Sequence, residues 1–194
     1  MDGYPRLTDL RAPTTDTVFS TRSRIGPAVL AWCDPIAGAI IAEENDYIRV
    51  YPLRRFFGSV GVARCEAAVL SLAVGKVHPF VLAGGADGAV VATNPMRKVL
   101  NHKLTQAQLC WFRHEWTRKG GGMVRFVEGF KVDSSRMLKV SDGTPRGKDG
   151  STFATIHEKE SGITALAWNP NLVCGGWAAA GMGSGLVRVE DLAL

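Results

Sequence analysis

Short apolar runs alternate along this chain with small-residue runs and polar turns, and one three-part phrase recurs. VLAW (Val29 to Trp32) leads into AIIAEE and then NDYIRVYPL from Asn45; VLSLAV (Val69 to Val74) leads into HPFVLAGGADGAVVATNP; ITALAWNP (Ile163 to Pro170) leads into WAAAGMGSGLVRVEDL. Each phrase predicts an apolar strand, a small-residue strand and a tight turn into an alternating strand, because period-two alternation and Gly-bearing polar turns mark antiparallel pairs. In V-R-V the alternation assigns Val187 and Val189 to a packed face and Arg188 to the opposite one. Trp32 and Trp168 stand at one phase of the first strands, which predicts repeated core packing.

Aligning the third strands brings Asn45, Asp87 and Ser184 to one turn position, with about 42 residues from Asn45 to Asp87. DGYPRLTDLR repeats the turn-plus-strand piece, with Asp2 about 43 residues before Asn45. That spacing is the period of a propeller blade. The predicted fold is therefore all-β, a WD40-type β-propeller of which about three to four blades are present, the C-terminal part of a ring of about seven. Residues 1–12 read as the third strand of a truncated blade, 25–100 as two blades, and 159–194 as a C-terminal blade. Between them 101–158 reads as a basic insertion or a degenerate blade, because Ser184 follows Asp87 by about 97 residues, too many for one blade. Within it WFRHEW (Trp111 to Trp116) and MVRFVEGFKV (Met123 to Val132) read as two strands joined by KGGG, and Ser134 to Ser151 as a polar loop. Three to four blades leave strand edges and a sheet face uncovered, so the isolated chain is expected to aggregate or to stay partly unfolded.

Charge sharpens this picture because it is local. Residues 97–148 hold twelve Lys and Arg against Glu115, Glu128, Asp133 and Asp142, a net of +8, so the rest of a +5 chain carries −3. A surface of that kind attracts an acidic partner or phosphates. No apolar run reaches the roughly 18 residues of a spanning helix, and MDGYPRLTDLR lacks the apolar stretch of a secretory signal, so a soluble, non-secreted protein is expected.

Candidate chemistry is sparse. Cys33, Cys65, Cys110 and Cys174 never form a C-x-x-C pair, which predicts plain core or surface thiols and neither a zinc site nor a redox motif. GGADG and GMGSG lie between apolar strands with no helix to follow, so they predict hairpin turns and not phosphate loops. His114 and Glu115 lack a second histidine at helical spacing, and His78 before Pro79 reads as a turn residue. His102, His114 and His157 have no spacing that supplies a ligand geometry with Cys110. No catalytic, cofactor or metal residue is predicted, and the expectation is a non-enzyme.

RLTDLR, EENDYIRVYPLRRFF, VLSLAVGKVHPFVLAGGADGAVVATNPMRK and HEWTRKGGG with MVRFVEGFK together resemble the fungal subunit-six family of the RNA polymerase III transcription initiation factor TFIIIC, its WD-repeat subunit. The resemblance runs from about Gly3 to the C-terminus and is weakest over Ser135 to Ser151. It implies a nuclear, non-catalytic scaffold that holds partner subunits, a second WD-repeat subunit and the largest subunit, and supports recognition of the internal promoters of transfer-RNA genes. Promoter DNA would be met mainly through the complex; no membrane, small-molecule substrate or cofactor is implied. Family members carry an N-terminal extension and earlier blades, which implies a truncated gene model or a partial protein.

The candidate contact residues follow from pattern. Trp111, Arg113, Trp116, Arg118, Lys119 and Arg125 combine rings that stack with cations that neutralise phosphate, a set equally suited to a protein interface or to packing within the insertion. Arg54, Arg55, Arg97 and Lys98 follow the third strands of two copies, at matching edges or a solvated rim. Two functional readings stand: a scaffold, and a direct DNA-binding or generic WD-repeat interaction module using the basic segment 97–148.

Overall fold

The computed structural model describes residues 6–11, 17–20, 27–43, 47–56, 58–65, 67–96, 106–110, 112–117, 121–126, 130–131 and 159–192. Strands β1 (Arg6–Thr8) and β2 (Thr17–Ser20) form an antiparallel pair. The first blade is a four-stranded meander of β3 (Pro27–Cys33), β4 (Gly38–Glu43), β5 (Tyr47–Pro52) and β6 (Val60–Arg64). The second runs β7 (Val69–Val74), β8 (Val81–Gly85), β9 (Ala89–Thr93) and β10 (Gln106–Cys110). Next come a separate hairpin, β11 (Phe112–Thr117) and β12 (Gly121–Phe126), and the short β13 (Phe130–Lys131). The third blade is β14 (Ile163–Trp168), β15 (Trp177–Met182) and β16 (Val187–Asp191). The chain is all-β, and these radial sheets are a partial β-propeller.

The blades stack face to face. Cys33, Ile40, Ile48, Val50 and Val62 of the first pack against Val69, Val81, Ala83 and Val91 of the second. On its other side the second blade gives Ala73, Leu82, Val90 and Ala92 to a cluster with Ile163, Trp168, Ala178, Ala180 and Met182 of the third. A sheet covered on both faces needs apolar side chains at odd and even positions alike. Accordingly β4, β8 and β9 are buried along their whole lengths.

Two polar bonds fix how the second and third blades meet. Ser71 Oγ, early in β7, donates to the Ile163 carbonyl at 2.7 Å, while Trp168 Nε1, at the end of β14, donates to the Ala73 carbonyl at 3.3 Å. The two inner strands thus run in the same direction, start beside start. The third blade sits directly on the second, and β13 returns to pair with β10 as a fifth, outermost strand of the second sheet.

Two sequence readings change. MVRFVEGFKV is not one strand: β12 pairs with β11, whereas β13 joins β10, Leu109 opposite Phe130. The V-R-V alternation holds but its sense is reversed, with Val187 and Val189 exposed and the Arg188 side chain mostly covered, 2.9 Å from Glu190. The reason lies in the neighbours. Ala178, Ala180 and Met182 of β15 face the second blade, so the valines, paired with Ala179 and Gly181, lie on the side that meets no blade among the described residues.

Candidate interaction surface

The turns position every exposed candidate. In the second blade Asp87 Oδ1 accepts the Ala89 N–H at 3.1 Å, and Gly88 takes φ 82°, a left-handed conformation that glycine adopts without strain. In the third, the Ser184 N–H reaches the Glu160 carbonyl at 3.0 Å and Gly185 takes φ 86°. GGADG and GMGSG are hairpin turns. Asp2 and Asn45, the other two turn positions, lie outside the described residues.

The strand-one-to-strand-two turns open on the opposite rim. In the first blade the 3-10 turn Asp34–Ile36 ends at Ala37, which is left-handed at φ 48° and whose carbonyl accepts the Leu53 N–H at 2.9 Å. That bond ties it to a second 3-10 turn, Leu53–Arg55, on which Arg54 and Arg55 are both exposed. In the second blade Gly75 donates its N–H to the Phe80 carbonyl, closing a loop with exposed Lys76 and Val77. In the third, Leu172–Cys174 forms a 3-10 turn whose Leu172 and Val173 are 79% and 95% exposed.

His78 clasps the second and third blades together on this rim. Its Nδ1 accepts the Phe80 N–H at 3.3 Å, and its Nε2 lies 2.8 Å from the Gly175 carbonyl, which makes Nε2 the protonated nitrogen. The ring also meets Trp168 edge-on at 4.5 Å between centroids. The imidazole is spent on structure. Trp168 is 9% exposed, whereas Trp32, at the same phase of β3, is 46% exposed and donates to Asp34 Oδ1 at 2.8 Å. Common core packing therefore fails for Trp32, because the residues that bury Trp168 belong to the preceding blade, and only β1 and β2 precede the first blade among the described residues.

A buried polar cluster also serves the fold. The Glu43 carboxylate accepts Arg49 Nε at 2.9 Å and the Tyr51 hydroxyl at 2.8 Å, with Arg49 extended to Ser59 Oγ at 3.4 Å. Burial, with the anionic Glu43 beside it, pushes the Tyr51 hydroxyl up to about 12. Burial likewise raises the Cys33 thiol, against the character of a nucleophile. Cys33 and Cys65 are buried and Cys174 is exposed, all three free thiols. Among the described residues no group of three His, Cys, Asp or Glu is placed to hold a metal. None of their helices is long and apolar enough to cross a membrane.

The basic candidates separate by register. Arg113 stands opposite Arg125 on the β11–β12 hairpin, and Trp116 stands opposite Gly122. Arg97, Lys98, Trp111, Arg118 and Lys119 lie outside the described residues. Sequence reading missed Leu172 and Val173, since LVC in a blade repeat looks like core.

No family model matches the chain. It is 28% identical over 195 residues to the transcription factor tau subunit sfc6 of Schizosaccharomyces pombe, which covers 98% of this chain and 31% of that protein. It is 27% identical over 199 residues to the transcription factor tau 91 kDa subunit of Saccharomyces cerevisiae, covering 99% of this chain and 28% of that protein. The resemblance to the fungal TFIIIC subunit-six family thus extends over nearly the whole chain, which spans less than a third of the length of these relatives. A chain in the crystal structure of the mitotic checkpoint complex superposes loosely, with a TM-score of 0.46 and 12% identity over 98% of this chain and 55% of that one.

Proposed function

We infer that this chain is a non-catalytic WD-repeat scaffold portion of a TFIIIC subunit, acting in the nucleus to hold partner subunits and so to support recognition of transfer-RNA gene promoters by RNA polymerase III. The observation that carries the reading is the near-complete alignment with two fungal tau subunits. The polar groups agree with it: His78, Trp168, Glu43, Arg49 and Tyr51 are each engaged in holding strands or blades. The insertion 101–158 and the blade rims are the surfaces offered to a second WD-repeat subunit and to the largest subunit. The test is affinity purification of the tagged full-length protein from fungal nuclear extract, expected to recover the other tau subunits; a protein that never brings them down defeats the reading.

A second reading, direct DNA contact through the +8 segment, draws on the opposition of Arg113 and Arg125. On this reading affinity for a DNA duplex falls steeply with salt, and joint replacement of Arg113, Arg118, Lys119 and Arg125 by Glu abolishes it. Unchanged duplex binding in that variant eliminates direct contact.

A further inference from the structure

The rim on which Arg54 and Arg55 lie is built by turns from three blades. In the first blade Tyr47 stands opposite Arg64, so β6 ends at the rim of the strand-two-to-three turn, away from residues 34–37 and 53–55. The link to Val69 has only four residues and must cross the width of the blade, three strand spacings of about 4.8 Å, so β7 starts on that same far rim. The Ala86 N–H donates to the Ala68 carbonyl there, at 2.9 Å. The loop at 75–80 therefore opens on the near rim, beside residues 34–37 and 53–55. The third blade follows, because its 169–176 turn is held to that loop by His78 and Gly175.

Over the first two blades this near rim is chemically one-sided. Arg54, Arg55 and Lys76 are exposed along its first two blades, where the one described carboxylate is Asp34, engaged by the Trp32 indole; Asp191, opposite Trp177, stands at its third-blade end. On the far rim the described charged positions are Arg64, Asp87, Lys159 and Glu160, of both signs, with Glu43 buried. Exposed apolar side chains share the near rim with the cations: Leu53, Val77, Leu172 and Val173. Leu172 and Val173 head a turn anchored by the Cys174 N–H on the Asn171 carbonyl at 3.1 Å, which holds two bulky residues out in water. Leu53, Arg54 and Pro52 border a shallow recess completed by Pro35, Ile36 and Ala37.

We propose that this rim docks an acidic segment of a partner protein that carries bulky apolar anchors, its carboxylates meeting Arg54, Arg55 and Lys76 and its anchors meeting Leu53, Leu172 and Val173. Charge complementarity selects the occupant, and the apolar residues select protein over nucleic acid, because a phosphate backbone has nothing to place on Leu172 and Val173. The inference deepens the scaffold reading by assigning it a surface other than the basic insertion.

The test is fluorescence anisotropy of the tagged full-length protein with a labelled twelve-residue peptide of Asp and Glu interrupted by two Leu and one Phe. R54E/R55E is expected to weaken binding about tenfold or more, and L172S/V173S about fivefold or more. Both variants replace exposed side chains and should keep the parent circular-dichroism spectrum. Equal affinity of parent and both variants overturns the proposal, as does a DNA duplex that displaces the peptide and loses affinity only in R54E/R55E. Purification from nuclear extract separates the two levels. Tau subunits recovered undiminished by both rim variants leave the scaffold standing and remove the rim, whereas peptide binding without tau subunits removes the scaffold alone.

Discussion

Trp32 and Trp168 end the same tripeptide, LAW, in two blades, yet one indole is half in water and the other is bonded to the preceding blade. A sequence repeat specifies which way a side chain points, and the neighbour that it points at decides its burial. Trp168→Phe is accordingly expected to cost about 1–3 kcal/mol through lost volume and the lost bond to Ala73, and Trp32→Phe under about 1 kcal/mol, both read from denaturant midpoints. Tyr51 makes a second prediction, in pH. Its folded value, raised from 10.0 to about 12, favours the neutral phenol in the folded state. The stabilisation is complete below pH 10 and is lost as pH rises through 12, since the unfolded chain then releases the proton first. Tyr51→Phe should cost about 1–2 kcal/mol at neutral pH and should flatten that alkaline fall, measured by urea titrations at a series of pH values.

At the scale of elements, strand order and turns were legible because they are local. Asp87 with Gly88, and Ser184 with Gly185, write their turns in adjacent residues. The facing of β16 was not legible. V-R-V states an alternation, but propeller blades are covered on both faces, so alternation alone does not say which side is the core. β13 was hidden for a related reason: its pairing with β10 is a distant event that FKV does not encode. Gly84 shows how tight a blade junction is. A Cβ there would stand 2.5 Å from Ile163 Cγ2 and 2.6 Å from Ser71 Oγ, whereas at Gly61 it would meet nothing within 4 Å. Gly84→Ala should therefore destabilise by about 2 kcal/mol or more and Gly61→Ala by much less, compared by thermal melting. Sequence reading put Arg54 and Arg55 at a blade edge or solvated rim but did not join Lys76, Leu172 and Val173 to them, since those turns share a rim only when blades stack.

Across the described residues, packing is continuous through three blades, and Leu7 of β1 packs against Ala39, Ile41, Tyr51 and Phe56 on the far side of the first. Leu30 and Trp32 lie exposed on one side and Val187 and Val189 on the other. Parts of both outer faces are thus exposed among the described residues. Holding the blades in register is a matter of side chains: Ser71 on Ile163, Trp168 on Ala73 and His78 on Gly175 join residues more than 90 apart in sequence. These bonds are expected to hold the second and third blades together without the covalent path between them. A protease site placed between residues 140 and 150 and then cut should yield two polypeptides that co-elute as one species, with the melting temperature lowered by no more than a few degrees. Loop closure contributes only about 0.6 kcal/mol per doubling of loop length, so the length of this stretch is nearly free to drift while the clasp around His78 keeps its two halves mated.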